Sequence, residues 1–94
     1  MTEVEFTKTA EEDYLALLDE ISRHSVDEAL ELDAKMDALI RNLQKFKHLC
    51  PPSKKSPKFR RCVLTRNISL VYEVGLKSVT IISIFDSRSG NPFS

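Results

Sequence analysis

The chain has 94 residues, 41% of them hydrophobic and 30% charged, with two Gly, five Phe, two Tyr and no Trp. This allows a single-domain core and excludes collagen-like, low-complexity and glycine-looped nucleotide-binding classes. The formal net charge is zero, but twelve acidic residues face six basic ones through Lys47, and eight basic residues face two acidic ones from His48 onward.

Val4-Glu5-Phe6 alternates apolar and polar side chains and reads as a short first strand, brief enough for a sheet edge. Thr9-Ala10-Glu11-Glu12 fits a capping box, with Thr7 as a rival cap; either starts a helix near Lys8. Its apolar stripe is Ala10, Tyr14, Leu17, Leu18 and Ile21, and its end is expected near Arg23. Ser25-Val26-Asp27-Glu28 is a second capping box. The helix it opens carries the stripe Val26, Ala29, Leu30, Met36, Leu39, Ile40, Leu43 and Phe46. The two helices must form a tight antiparallel hairpin, because only His24 and its neighbours are available for the turn.

Three prolines between Cys50 and Pro57 end the helical pattern and mark the one long loop. Cys50 and Cys62 are too few for a disulfide framework and too far apart for a redox or zinc motif, so both read as reduced packing residues. Phe59 to Thr65, Ile68 to Val74 and Ser78 to Asp86 are strand-like, and their short linkers make them an antiparallel meander. In the middle strand Ile68, Leu70, Tyr72 and Val74 share the face expected against the helices, while Ser69, Val71 and Glu73 take the other. Strict alternation in the last strand puts Val79, Ile81 and Phe85 on one side. It puts Ile82 and Ile84 on the other, where something should cover them.

His24 and His48 flank the second helix, about 36 Å apart at 1.5 Å per residue, too far to share a metal or a proton. Nucleophile elbow, paired-histidine zinc motif and phosphate loop are all missing, so neither a cofactor nor a metal site is expected. Lys54, Lys55, Lys58, Arg60 and Arg61 crowd the start of the meander. They read either as a phosphate-binding patch or as a solvated loop, with Arg60 and Arg61 the stronger candidates because a strand holds them. Asp86 and Arg88 fall on one side of the final turn, where they could pair or present a guanidinium to a partner. No apolar run approaches the roughly 18 residues of a membrane span. The opening residues also lack signal-peptide character, so a cytoplasmic protein without membrane contact is expected.

The pattern as a whole resembles the RelE/ParE superfamily of bacterial toxins from toxin-antitoxin modules. The resemblance lies in Val4-Glu5-Phe6-Thr7 with Ala10 and Asp13-Tyr14, in Phe59-Arg60 leading to Ile68 through Val74, and in Ile81 to Phe85 followed by Asp86-Ser87-Arg88 and Asn91-Pro92. The ending is similar to that of ParE-like and plasmid-stabilisation members, with Gly90 as one extra residue. The resemblance implies an α+β fold in the order β-α-α-β-β-β, a helical hairpin packed on a mainly antiparallel four-stranded sheet spanning residues 1–94. RelE-like members cleave messenger RNA on the ribosome with basic and aromatic side chains. Where many of them carry an arginine, three residues before the middle-strand tyrosine, this chain has Ser69, and no aromatic residue stands at Ser94. Arg60 and Arg88 match family cations but cannot supply a general base. The resemblance therefore implies a ParE-like poison of DNA gyrase with no catalytic residues. A short acidic antitoxin would neutralise it in a hetero-oligomer, with contacts expected at Val71, Ile82 and Ile84 and acidic groups near Arg60, Arg61 and Arg88. The alternatives are a ribosome-dependent messenger-RNA nuclease and a non-toxic interaction module.

Overall fold

The computed structural model describes residues 1–90 and Phe93; the Asn91-Pro92 pair and Ser94 lie outside the described residues. Strand β1 (Glu3–Phe6) leads into helices α1 (Lys8–His24) and α2 (Val26–Lys45), and then into β2 (Arg60–Val63), β3 (Ile68–Val74) and β4 (Ser78–Asp86). The sheet order is β1-β4-β3-β2. The last three strands form the expected meander, and β1 sits at an edge, parallel to β4. The helices cover one face, and α1 packs against both α2 and β4. Among the described residues no helix is long and apolar enough to cross a membrane.

The hairpin turns on a single residue. The Ser25 N–H donates to the Ile21 carbonyl and ends α1, while its Oγ accepts from the Glu28 N–H at 3.2 Å and starts α2. Because the Ser25 N–H is already used, the return half of the predicted capping box has no donor to meet. At the start of α1 it is Thr7, not Thr9, that caps: its Oγ1 accepts from the Ala10 N–H at 3.0 Å. The α2 stripe differs from the predicted one. Leu32 is 1% exposed and joins Met36 and Leu43 in the core, whereas Val26, Leu30 and Phe46 are exposed. The difference of a few residues in phase follows from the 3.6-residue period, which places Ala29, Leu32, Met36 and Leu43 along one line.

The core lies between sheet and helices, with Leu70, Tyr72, Val79 and Ile81 fully buried and Val4, Phe6, Tyr14, Leu17 and Ile21 packed around them. Strand β4 departs from the predicted alternation. Val71 pairs with Ser83 and Tyr72 with Ile81, so Ile82 is an extra residue without a partner, a β-bulge. Beyond it the faces exchange: Ile84 pairs with Leu70 in the helix-side core, and Phe85 pairs with Ser69 on the outer face. The expectation that Ile84 points away from the helices is therefore corrected. Thr7 clasps the bulge, its N–H donating to the Ile81 carbonyl at 3.0 Å and its hydroxyl donating to the Ile82 carbonyl at 3.3 Å.

The cysteines also differ from expectation. Residues 51–53 fold back along β2, with Pro52 bridged to Arg60, and this sets the Cys50 and Cys62 α-carbons 5.4 Å apart, joined by a disulfide. A spacing of twelve residues gives no motif, but an antiparallel fold-back brings its ends within bridging range. In the chain-entropy picture a loop of this length contributes roughly 3 kcal/mol, below the roughly 5–15 kcal/mol total of a typical domain.

Thr7→Val removes the hydroxyl that joins the α1 cap to the bulge while keeping the side chain's shape. Urea unfolding should show a loss of about 1–2 kcal/mol, and Thr7→Ser should recover most of it.

Candidate functional site

A recess of the fold runs between α1 and the far end of the sheet. It is an open cleft of about 830 Å³. Its floor is built from Leu17 and Ile21 of α1, Ile68 of β3 and Ile84 of β4, which the bulge turns inward. Carboxylates line the helical side at Asp13, Glu20 and Glu28, with His24 at the end of α1. The opposite wall is the turn after β4, held by the Ser87 N–H, which donates to the Asn67 carbonyl at 2.7 Å.

Asp86 and Arg88 stand on that wall as a forked pair. Oδ1 accepts from the Arg88 Nε at 3.0 Å and from its backbone N–H at 2.9 Å, while Oδ2 accepts from Nη2 at 2.7 Å. The Ser89 N–H and hydroxyl both donate to the Asp86 carbonyl, which closes the turn. The Arg88 side-chain bonds hold the Asp86 carboxyl below its ordinary pKa against an opposing push from partial burial. The guanidinium stays solvent-exposed while its charge is matched by a fixed carboxylate. Of the two sequence alternatives, the internal pair is present, with the guanidinium still exposed.

Arg60 and Arg61 point to opposite faces of β2 and are both engaged internally. Arg60 pairs with Tyr72 on the helix side, and its Nη1 donates to the Cys50 carbonyl at 2.6 Å and the His48 carbonyl at 3.4 Å. Arg61 lies across the outer face. Its guanidinium sits 5.3 Å from the centre of the Phe85 ring and donates to Ser69 Oγ at 3.4 Å and the Phe93 carbonyl at 3.2 Å. Phe93 also meets Phe59 edge-on, with ring centres 5.6 Å apart. This is what covers the second face: Val71 and Phe85 are buried without joining the helix-side core. Ile82 is half-buried at the bulge. Of the other loop cations, Lys58 lies over Phe59 and 3.8 Å from Glu73, and Lys54 and Lys55 are exposed.

The sites read from the sequence therefore separate. Asp86, Arg88 and Ile84 share the cleft, Val71 and Arg61 share the outer face, and Arg60 braces the loop. The cleft's Asp13, Glu20, His24 and Glu28 were missed as a group, because each lies at an ordinary solvent-facing or helix-end position in its own helix. Among the described residues no three His, Cys, Asp or Glu side chains gather as metal ligands.

A sequence profile described as "ParE toxin of type II toxin-antitoxin system, parDE" matches residues 4–90. No curated protein sequence matches the chain. Among solved structures, a chain of the chromosomal ParDE toxin-antitoxin system from P. aeruginosa superposes with a TM-score of 0.74 at 21% identity, over 92% of this chain and 96% of that one. YafQ from E. coli strain BL21(DE3) gives 0.61 at 16% identity, over 95% and 97%. A chain of the YoeB-YefM complex from Staphylococcus aureus gives 0.59 at 19% identity, over 89% and 94%. At such identities the superpositions speak for a shared fold.

Arg88→Ala should let the Asp86 carboxyl titrate nearer the ordinary aspartate value of about 3.9, followed by carbon-detected NMR. In the unaltered chain the pair's support is complete above that value and is lost as pH falls through the lowered folded pKa of Asp86. Arg61→Ala uncovers Phe85, and Arg60→Ala leaves the Cys50 carbonyl without its charged donor. Each should lower stability by roughly 1–2 kcal/mol in denaturant titrations, more than an ordinary surface arginine.

Proposed function

The chain belongs to the ParE toxin family of type II toxin-antitoxin systems, and we propose from this that it acts by binding, as a poison of DNA gyrase in the cytoplasm. A cognate antitoxin, short and acidic, would neutralise it in a hetero-oligomer. The observation that carries the reading is the state of the arginines. Cleaving RNA requires a group that activates the 2′-hydroxyl, another that protonates the leaving oxygen, and cations on the phosphate. Arg60 and Arg61 bond within the chain, and Ser69 is buried beneath Arg61 at the position where RelE-like members place an arginine. Arg88 remains at the cleft, and a guanidinium with a pKa above about 12 binds an anion but does not act as a base.

The cleft is the surface proposed for partners. An apolar segment could lie on Leu17 and Ile21, above the buried Ile68 and Ile84, and set a carboxylate against Arg88, in competition with Asp86. That the P. aeruginosa and S. aureus relatives are described as a toxin-antitoxin system and as a complex supports the existence of such a partner. Ile84 stays an antitoxin contact, now from the helix side. Val71, fully buried, would serve only if the outer face opened, while Ile82 at the bulge is partly accessible.

Expressed without antitoxin, the protein should arrest DNA replication and induce a DNA-damage response, and purified protein should inhibit supercoiling by gyrase. Arg88→Ala should weaken inhibition by about tenfold, the scale of one lost charged contact of about 1.4 kcal/mol. New codon-specific ends in primer extension on translated messages, with supercoiling unaffected, would replace this reading with the ribosome-dependent nuclease. Absence of both effects would indicate a non-toxic interaction module.

A further inference from the structure

Cys50 is held in place by three bonds, of which only one is covalent. Its N–H donates to the Tyr72 hydroxyl at 3.1 Å, its carbonyl accepts from Arg60 at 2.6 Å, and its sulfur is bonded to Cys62. Cys62 is fixed independently, as a ladder residue of β2 paired with Leu70. Breaking the sulfur–sulfur bond therefore leaves both backbones tied to the same strand, β3, which carries Leu70 and Tyr72. The bond spans the base of the cationic loop. Between the two cysteines the loop is held by backbone bonds from the Arg61 N–H to the Pro51 carbonyl and from the Ser53 N–H to the Phe59 carbonyl, and by the solvent-exposed contact of Lys58 with Glu73 at 3.8 Å. Lys54, Lys55 and Lys58 are all exposed on it.

We propose that Cys50 and Cys62 form a reversible thiol-exchange site, opened and closed by small thiols of the glutathione class, that sets how firmly the cationic loop is held. Cys50 is the more exposed of the two, at 9% against 3%, and it takes the attack. A glutathione thiolate bonds to the Cys50 sulfur and Cys62 leaves as a thiolate, which takes up a proton. A second glutathione thiolate then attacks the mixed disulfide, releasing glutathione disulfide and the Cys50 thiolate, which is protonated in turn. Two electrons pass to the protein and two glutathiones are oxidised. Closure reverses these steps with glutathione disulfide as oxidant. Because Tyr72 and Arg60 keep Cys50 beside Cys62, the open form stays folded and recloses quickly, while the loop gains freedom.

The test is a titration of the full chain in glutathione buffers, read by far-ultraviolet circular dichroism and by limited trypsin digestion after Lys54, Lys55 and Lys58. Reduction should leave the circular dichroism unchanged and speed cutting within the loop about tenfold or more, since cleavage follows the population of opened loop. Glutathione disulfide should restore resistance. Cys50→Ser/Cys62→Ser should be cut at the reduced rate in every buffer, and Tyr72→Phe should reclose several-fold more slowly than the unaltered chain. Three results would overturn the proposal: loss of the folded spectrum on reduction, which makes the bond a structural staple; equal cutting in both states; or reclosure at an unchanged rate in Tyr72→Phe.

Discussion

One extra residue in β4 decides which side chains meet. Ile82 has no partner in β3, and from that point the two faces of the strand are exchanged. Ile84 enters the core, Phe85 crosses to the outer face, and Asp86 comes opposite Ile68 at the mouth of the cleft. A bulge left alone would expose its free carbonyl and invite a register slip. Here the first helix prevents that, because the Thr7 side chain that caps α1 also binds the bulge carbonyl. The start of the chain thereby fixes the geometry of its end. The parallel β1–β4 pairing, with Phe6 beside Ile81, brings Thr7 to the place where it can do so.

The three arginines show how one residue type takes different roles according to face. Arg60 on the helix side meets carbonyl groups left by the end of α2 and the loop behind it. Arg61, one residue on, spreads over an aromatic ring and shields a sheet face that no helix covers. Arg88, past the last strand, is held by a neighbouring carboxylate and still open to solvent. A guanidinium with fixed direction and an exposed edge is suited to recognising an anionic group without first losing conformational freedom. This arrangement favours a protein that binds through its cleft.

Much of the fold was legible because periodicity reports burial. The 3.6-residue stripes located both helices, the strand runs located the meander, and the order of elements carried the family resemblance. Three features were not legible, each for a definite reason. An apolar run such as Ile81-Ile82-Ser83-Ile84-Phe85 suits two registers equally, so alternation could not reveal the bulge. The cysteine pair depends on a loop folding back along β2, and a spacing of twelve residues does not encode that. Arg60 looked like a surface cation because carbonyl acceptors belong to the backbone and leave no mark in the sequence. Of the candidate site, Asp86 and Arg88 were readable from their neighbourhood. The cleft was not, since its walls come from α1 and β4, more than fifty residues apart.

The central claim is that partners are met on the cleft side of the bulge, and not on the outer face, where Arg61 shields Phe85 and Val63 stays exposed. Methyl NMR on the isoleucine- and valine-labelled protein, titrated with its antitoxin, addresses this directly. Ile21, Ile68 and Ile84 should shift or broaden on binding, while Val63 and Val71 on the outer face should keep their free positions. Shifts confined to Val63 and Val71, with the three isoleucines unchanged, would place the partner on the opposite face and contradict the assignment.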